Sequence, residues 1–250
     1  MPLLALALAH PAFADDRYLP WTYAAQTEGK NAVELEHYLT LETPTSAGTP
    51  RASWEHQVEL EYGLTKRLEA GIYMVADQSD GGPLTFAGYK ARLRYRLSEV
   101  DAPVATCAYL EYVGSSDLDH HELEGKFIVS GAAGRVHGAL NATVEGHFGA
   151  AQAVIYEPTA GLMVAATPRA WFGAEGKVEG GYVDGAMESP RAWLGPAVHL
   201  VAREGDDDGD EAGEVGKPGL AWTFGAMVGL TGESRTDAFV EVRSLIALEL

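Results

Sequence analysis

Apolar and polar residues alternate along most of this chain with a period of two. From Trp54 to Leu64, the residues Trp54, His56, Val58, Leu60, Tyr62 and Leu64 share one face, while Glu55, Gln57, Glu59 and Glu61 share the other. Val33 to Leu41 sets Val33, Leu35, Leu39 and Leu41 against Glu34, Glu36, Tyr38 and Thr40. Tyr89 to Leu97 sets Tyr89, Leu93, Tyr95 and Leu97 against Lys90, Arg92, Arg94 and Arg96. Val136 to Phe148 places Val136, Leu140, Val144 and Phe148 opposite His137, Asn141, Glu145 and His147, and Leu220 to Leu230 places large apolar residues opposite small ones. Side chains on a strand alternate faces whereas a helix repeats every 3.6 residues, so the pattern predicts strands and no segment carries a clear helical period.

Turn-forming clusters cut these segments at an even pitch: Pro44–Ala52, Thr65–Arg67, Asp77–Pro83, Ser98–Pro103, Gly114–Asp119, Gly131–Gly134, Gly149–Ala151, Thr167–Arg169, Asp184–Pro190, Glu204–Lys217 and Gly232–Arg235. Eleven breaks delimit twelve strands. The eighth and ninth, near Tyr156–Ala166 and Ala170–Tyr182, are glycine-rich and weakly patterned, so ten strands is the alternative count.

Strands with one oily and one charged face suit either a sandwich or a closed barrel. Trp54 and Tyr62 lie eight residues apart on one apolar face, about 26 Å along a strand and roughly 20 Å of height at a tilt of about 40°. That approaches the height of a lipid-facing band between aromatic girdles. Met1 to Ala14 is a short apolar run ending Ala12-Phe13-Ala14, the small-x-small pattern of a signal-peptidase site, although no Lys or Arg precedes it. The expected division is therefore a signal peptide over 1–14 and a single barrel domain over 15–250; the alternative for the first segment is a buried apolar helix. The last strand, Phe239 to Leu250, runs to the end of the sequence given.

Three segments carry a family likeness: Glu59 to Glu69, containing the hairpin Glu61-Tyr62-Gly63-Leu64-Thr65-Lys66-Arg67-Leu68-Glu69; Gly88 to Leu97; and Tyr109-Leu110-Glu111-Tyr112. In these the chain resembles the transporter and porin-like group of bacterial outer-membrane β-barrels. The likeness covers the first half well and the rest through strand pitch. It implies a closed antiparallel transmembrane barrel in a Gram-negative outer membrane, passing small polar or charged solutes, with membrane lipids and the barrel-assembly machinery as partners and no cofactor. Members typically end in an aromatic residue; here the last residue is Leu250.

Composition narrows the function. The 250 residues carry 18 basic and 36 acidic side chains, a formal charge of −18, which repels nucleic acid. Mean hydropathy is −0.09, and no apolar run is long enough for a spanning helix. The single cysteine, Cys107, forms no internal disulfide and is expected to pack inward.

The polar faces supply the candidate lumen. Glu34, Glu36, Glu59, Glu61 and Glu69 from the first three strands stand beside Lys90, Arg92, Arg94 and Arg96 of the fourth and Glu111 of the fifth. Two readings compete: ion pairs that satisfy one another in a closed structural barrel, or a charged wall that selects solutes. Folding the hairpins about their turns puts Glu61 near Glu69, Glu69 near Arg92 and Lys90 near Glu111, to within about two residues of register. Opposed carboxylates repel, so Arg92 or Arg94 should lie against the pair.

Enzymatic readings are weaker. His137, Asn141 and Glu145 share a face but stand too far apart for a relay, and nothing marks the inward Ser130 as an activated nucleophile of a lipid-modifying barrel. His120-His121-Glu122 offers imidazoles and a carboxylate in what reads as a solvated outer loop. Gly205-Asp206-Asp207-Asp208-Gly209-Asp210-Glu211 fails the spacing of a calcium loop. No catalytic or metal-ligating set is assigned. With both termini periplasmic, strand parity puts the breaks at Pro44, Asp77, Gly114, Gly149, Asp184 and Gly232 outside the cell.

Overall fold

The computed structural model describes residues 17–43, 52–100, 102–149, 152–203 and 219–250, so segment 1–14, expected to be a signal peptide, and the acidic run 205–211 lie outside the described residues. The strands are β1 (Val33–Thr43), β2 (Ser53–Gly63), β3 (Leu68–Ser79), β4 (Thr85–Arg96), β5 (Val104–Ser115), β6 (His120–Ala133) and β7 (Val136–Gly149). They continue with β8 (Ala153–Tyr156), β9 (Thr159–Thr167), β10 (Ala170–Val183), β11 (Ala186–Met187), β12 (Arg191–Arg203), β13 (Leu220–Gly229) and β14 (Val240–Glu249). Each strand pairs antiparallel with its neighbours, and β14 pairs with β1 over Glu34↔Glu249 to Thr43↔Val240, which closes the sheet.

Among the described residues, fourteen strands make twelve staves. Both β8 and β9 pair with β7 and with β10, so they are one stave interrupted at Glu157-Pro158, where proline has no N–H for the ladder. Likewise β11 and β12 both pair with β10. The ten-strand alternative falls, and the weak patterning of the eighth stave is the signature of this break. The predicted break at Gly131–Gly134 is shorter than its glycines suggest: β6 runs to Ala133, and only Gly134 and Arg135 turn the chain. The last connection holds a six-residue helix, α1 (Gly232–Asp237), absent from the sequence reading. Its Thr231 and Ser234 cap one another reciprocally, a device with no periodic signal.

The period-two pattern sorts by face as a transmembrane barrel requires. Leu60, Ile72, Met74, Leu93, Leu110, Phe127, Leu140, Leu162, Phe172, Leu194 and Ile246 point outward and are exposed, forming an apolar exterior for lipid. Glu34, Glu36, Glu59, Glu61, Glu69, Arg92, Arg94, Arg96 and Glu111 of β1 to β5 point inward and are buried. No helix among the described residues is long and apolar enough to cross a membrane, so the crossing is by strands.

The lumen is not empty. Residues 17–28 leave the wall before β1 and fold into the interior, where Tyr18, Leu19, Trp21, Tyr23, Ala24 and Ala25 are all buried. This segment contributes no strand to the barrel.

Candidate functional site

The inward face of β1 to β4 holds one charge network. Arg92 sits at its centre, its guanidinium 2.6 Å from Glu59, 2.8 Å from Glu69 and in contact with Glu61. Arg94 lies 3.3 Å from Glu69. The Tyr38 hydroxyl, with one proton to donate, lies between Glu59 at 2.9 Å and Glu36, and Arg17 pairs with Glu36 at 3.7 Å. The side chains of Glu36, Glu59, Glu61, Glu69, Arg92 and Arg94 have no solvent-exposed surface.

Register explains how one arginine meets three carboxylates. Glu61 stands opposite Gly71 and Gly71 opposite Arg92, so a glycine lies between the two charged residues. A Cβ on Gly71 would come within 2.5 Å of Glu59 Oε1 and 2.7 Å of Arg92 Nε; the missing side chain is the space the ion pairs occupy. The turn-centred expectation is off by two residues in each hairpin: Glu69 stands opposite Gly63 and Arg94, and Arg92 opposite Glu111. A shift of two keeps every residue on its face, so Arg92 still lies between Glu61 and Glu69.

The remaining candidates divide. Lys90 reaches Glu111 at 3.7 Å, and Tyr109 donates to the same carboxylate at 2.6 Å. Glu34 is buried at the second position of β1, at the end of the barrel where β14 finishes. Arg96 instead donates to the carbonyl of Val100 in the adjoining turn at 2.5 Å. Beyond these, Lys126 pairs with Glu124 at 2.9 Å and Lys177 with Glu241 at 2.8 Å, so charged pairs line other sectors of the wall as well.

The feature sequence reasoning missed is that this wall binds a peptide backbone. Glu175 accepts from the N–H groups of Trp21 (3.0 Å) and Thr22. Asn141 both accepts from Tyr23 N–H at 2.7 Å and donates to its carbonyl at 2.8 Å, pairing as a neighbouring strand would. Arg94 donates to the carbonyls of Ala24 (2.8 Å) and Gln26, Ser130 accepts from Ala25 N–H at 2.9 Å, and Glu69 accepts from Glu28 N–H at 2.8 Å. Thr223 donates to Arg17 O at 2.9 Å. Nine-tenths or more of buried backbone groups find partners in folded proteins, and here barrel side chains provide them for a segment with no secondary structure.

Side chains complete the seat. The Arg17 guanidinium lies 3.7 Å above the Tyr23 ring, and Lys126 lies 4.6 Å from the rings of both Tyr23 and Tyr109. Tyr18 packs on Trp171, which stacks on His137 with centroids 4.1 Å apart. Gly225 makes room for the chain: a Cβ there would stand 2.7 Å from Pro20 Cγ and 2.8 Å from the Trp21 ring. Ser130 and Asn141, weighed from sequence as parts of a catalytic set, are thus engaged with the segment, and Cys107 packs against the layer formed by Tyr23 and Ala25. A signal for this was present: Tyr18, Leu19, Trp21 and Tyr23 are dense in apolar surface, are interrupted by Pro20 and precede the first strand.

Known proteins resemble this chain in fold and not in sequence. No family model matches it, and no characterised protein matches it by sequence. Solved structures do. An outer membrane channel from Pseudomonas putida F1 superposes with a TM-score of 0.63 at 10% identity, covering 90% of this chain and 98% of that one. The NanC porin gives 0.54 at 8% identity over 88% and 99%, and the KdgM porin 0.50 at 7% over 86% and 97%. The likeness is one of fold. At these identities it places the chain among twelve-stave outer-membrane-type barrels and assigns no residue a role.

Proposed function

We propose that this protein is an outer-membrane channel of porin type, passing small polar or charged solutes through a charge-lined lumen that residues 17–28 occlude in the state described. The observation that carries the reading is a closed twelve-stave barrel with an apolar exterior and a lumen wall of ionisable side chains. Each buried charge costs several kcal/mol to desolvate before pairing offsets it, a cost that water in an open lumen removes. The fold shared with an outer membrane channel and two porins supports the same reading, and one neighbour, a KdgM porin, is known in complex with disordered oligogalacturonate. Glu34, Glu36, Glu59, Glu61, Glu69, Lys90, Arg92, Arg94, Arg96 and Glu111 are the residues we assign to selectivity.

The second reading, a barrel closed to transport, is favoured by one observation, the buried segment itself. Planar-bilayer recording separates the two: a channel gives discrete current steps, small from the full chain, whereas absence of steps from the full chain and from a chain lacking residues 17–28 would leave only the closed barrel. No enzymatic step is assigned, and nucleic acid is not a partner of so acidic a chain.

Residues 1–14 are proposed as a cleaved export signal, which places the mature N-terminus at Asp15, two residues before the lumen segment. Intact mass of the membrane-extracted protein beginning at Met1 would overturn this. Folding would then be by the barrel-assembly machinery. Sidedness follows from even stave number with periplasmic termini. A maleimide on a cysteine replacing Asp117 should be reached from outside intact cells, and one replacing Thr65 should not; the opposite pattern would invert the topology.

A further inference from the structure

His120 and Glu122 do not lie in a solvated loop. They occupy the first and third positions of β6, on its inward face, while His121 between them points outward and stacks on Tyr112. The third member comes from the neighbouring stave: His147 of β7 stands directly opposite Glu122. All three are at the end of the barrel opposite the start of β1 and the finish of β14, half-buried in the mouth of the lumen.

Their ligand atoms converge. His120 Nε2 is 2.9 Å from Glu122 Oε1, His147 Nδ1 is 3.3 Å from His120 Nε2, and His147 Nδ1 is 3.5 Å from the same Glu122 oxygen. A tetrahedral ion with bonds of about 2.0–2.1 Å has ligand–ligand edges of roughly 3.3–3.4 Å, so these three atoms already approximate one face of such a site. Hydrogen bonding alone satisfies the trio poorly. A neutral imidazole nitrogen can donate one proton, and His120 Nε2 faces both a carboxylate oxygen and a second imidazole nitrogen. A cation at the centre engages all three lone pairs at once. The other nitrogen of His147, Nε2, is buried and lies 3.5 Å from Glu145 Oε2, two residues along the inward face. A carboxylate behind a histidine is the usual orienting partner of a metal-bound imidazole. Lys126, the near cation on this wall, is turned to Glu124 at 2.9 Å and to the rings of Tyr23 and Tyr109.

We infer that His120, Glu122 and His147 bind one borderline transition-metal dication, zinc(II) or copper(II), at the outer mouth of the lumen, with Glu145 as positioning residue and the fourth position open. Two imidazoles with one carboxylate select such ions over calcium and magnesium, which take all-oxygen shells. The site stands whether or not the lumen conducts, because it rests on side chains fixed by two paired strands.

The test uses the full chain in detergent, with the folded state checked by migration with and without boiling. Equilibrium dialysis against zinc(II) should give one ion per chain, with calcium(II) at the same concentration giving none. Cobalt(II) should produce the intense visible absorption of a four-coordinate site in the unaltered protein, a readout that needs no variant. His147→Ala and His120→Asn should each weaken zinc binding more than tenfold, Glu145→Gln about tenfold, and His56→Ala, in the separate outward pair His37/His56, not at all. Equal zinc and calcium uptake, zinc retained in the His120→Asn/His147→Ala double variant, or an octahedral cobalt spectrum would each overturn the proposal.

Discussion

A chain lacking residues 17–28 is expected to conduct at least several-fold more current per channel than the full chain while remaining a folded barrel. The segment supplies no strand and closes no hairpin, so its loss leaves every wall pairing intact. What it removes is volume from the lumen. Eight-stave barrels are just filled by their own side chains and sixteen-stave barrels hold a water channel, so a twelve-stave barrel has space that must contain either water or chain. Here it contains twelve residues of chain. The groups that hold it, Glu175, Asn141, Arg94, Ser130 and Glu69, are polar and take water in its place, so emptying the lumen leaves few unsatisfied atoms. Gly225→Leu is an independent route to the same end, because the new side chain would occupy the positions of Pro20 and Trp21. Conductance equal to that of the full chain in both variants, with normal gel migration, would mean that the current path avoids this segment.

The contrast between wall and segment shows where sequence is legible. The wall was readable because lipid outside and charge inside impose a strict alternation, so Lys90, Arg92, Arg94 and Arg96 declare their face without any knowledge of partners. Register was readable only to two residues, since an antiparallel pair slipped by two still buries the same face. The segment was not read at all. Its backbone is held by side chains far away in the chain, Glu28 by Glu69 at a separation of 41, Tyr23 by Asn141 at 118 and Arg17 by Thr223 at 206. No local periodicity encodes such contacts. The metal trio failed for a related reason: His120 and Glu122 were visible together, but His147 joins them only through the pairing of β6 with β7. The helix α1 was hidden by its length, too short for a 3.6-residue repeat to show.

Arg92→Ala should cost the full chain about 3–5 kcal/mol of folding stability, the penalty for leaving buried charges without their partner. Glu59, Glu61 and Glu69 all face this one guanidinium, and neither it nor they have exposed side-chain surface. Arg94 cannot take over, because its own donors are committed to Glu69 and to the carbonyls of Ala24 and Gln26. Arg92→Lys should fall between, since a single ammonium keeps the charge but does not span three carboxylates as a planar fork does. The urea midpoint of the folded barrel measures both. The same substitution in the chain lacking residues 17–28 should cost under about 1 kcal/mol, because water then reaches the carboxylates and screens them as at a surface. In that open background the effect moves from stability to permeation: removing a positive charge leaves the acidic staves dominant, and the reversal potential in a salt gradient should shift toward cations. A cost below about 1 kcal/mol in the full chain would show that water already reaches Arg92 past the segment, and the occluded lumen would have to be given up. An equal cost in both backgrounds would instead detach the network from the segment and leave the four staves closed on their own.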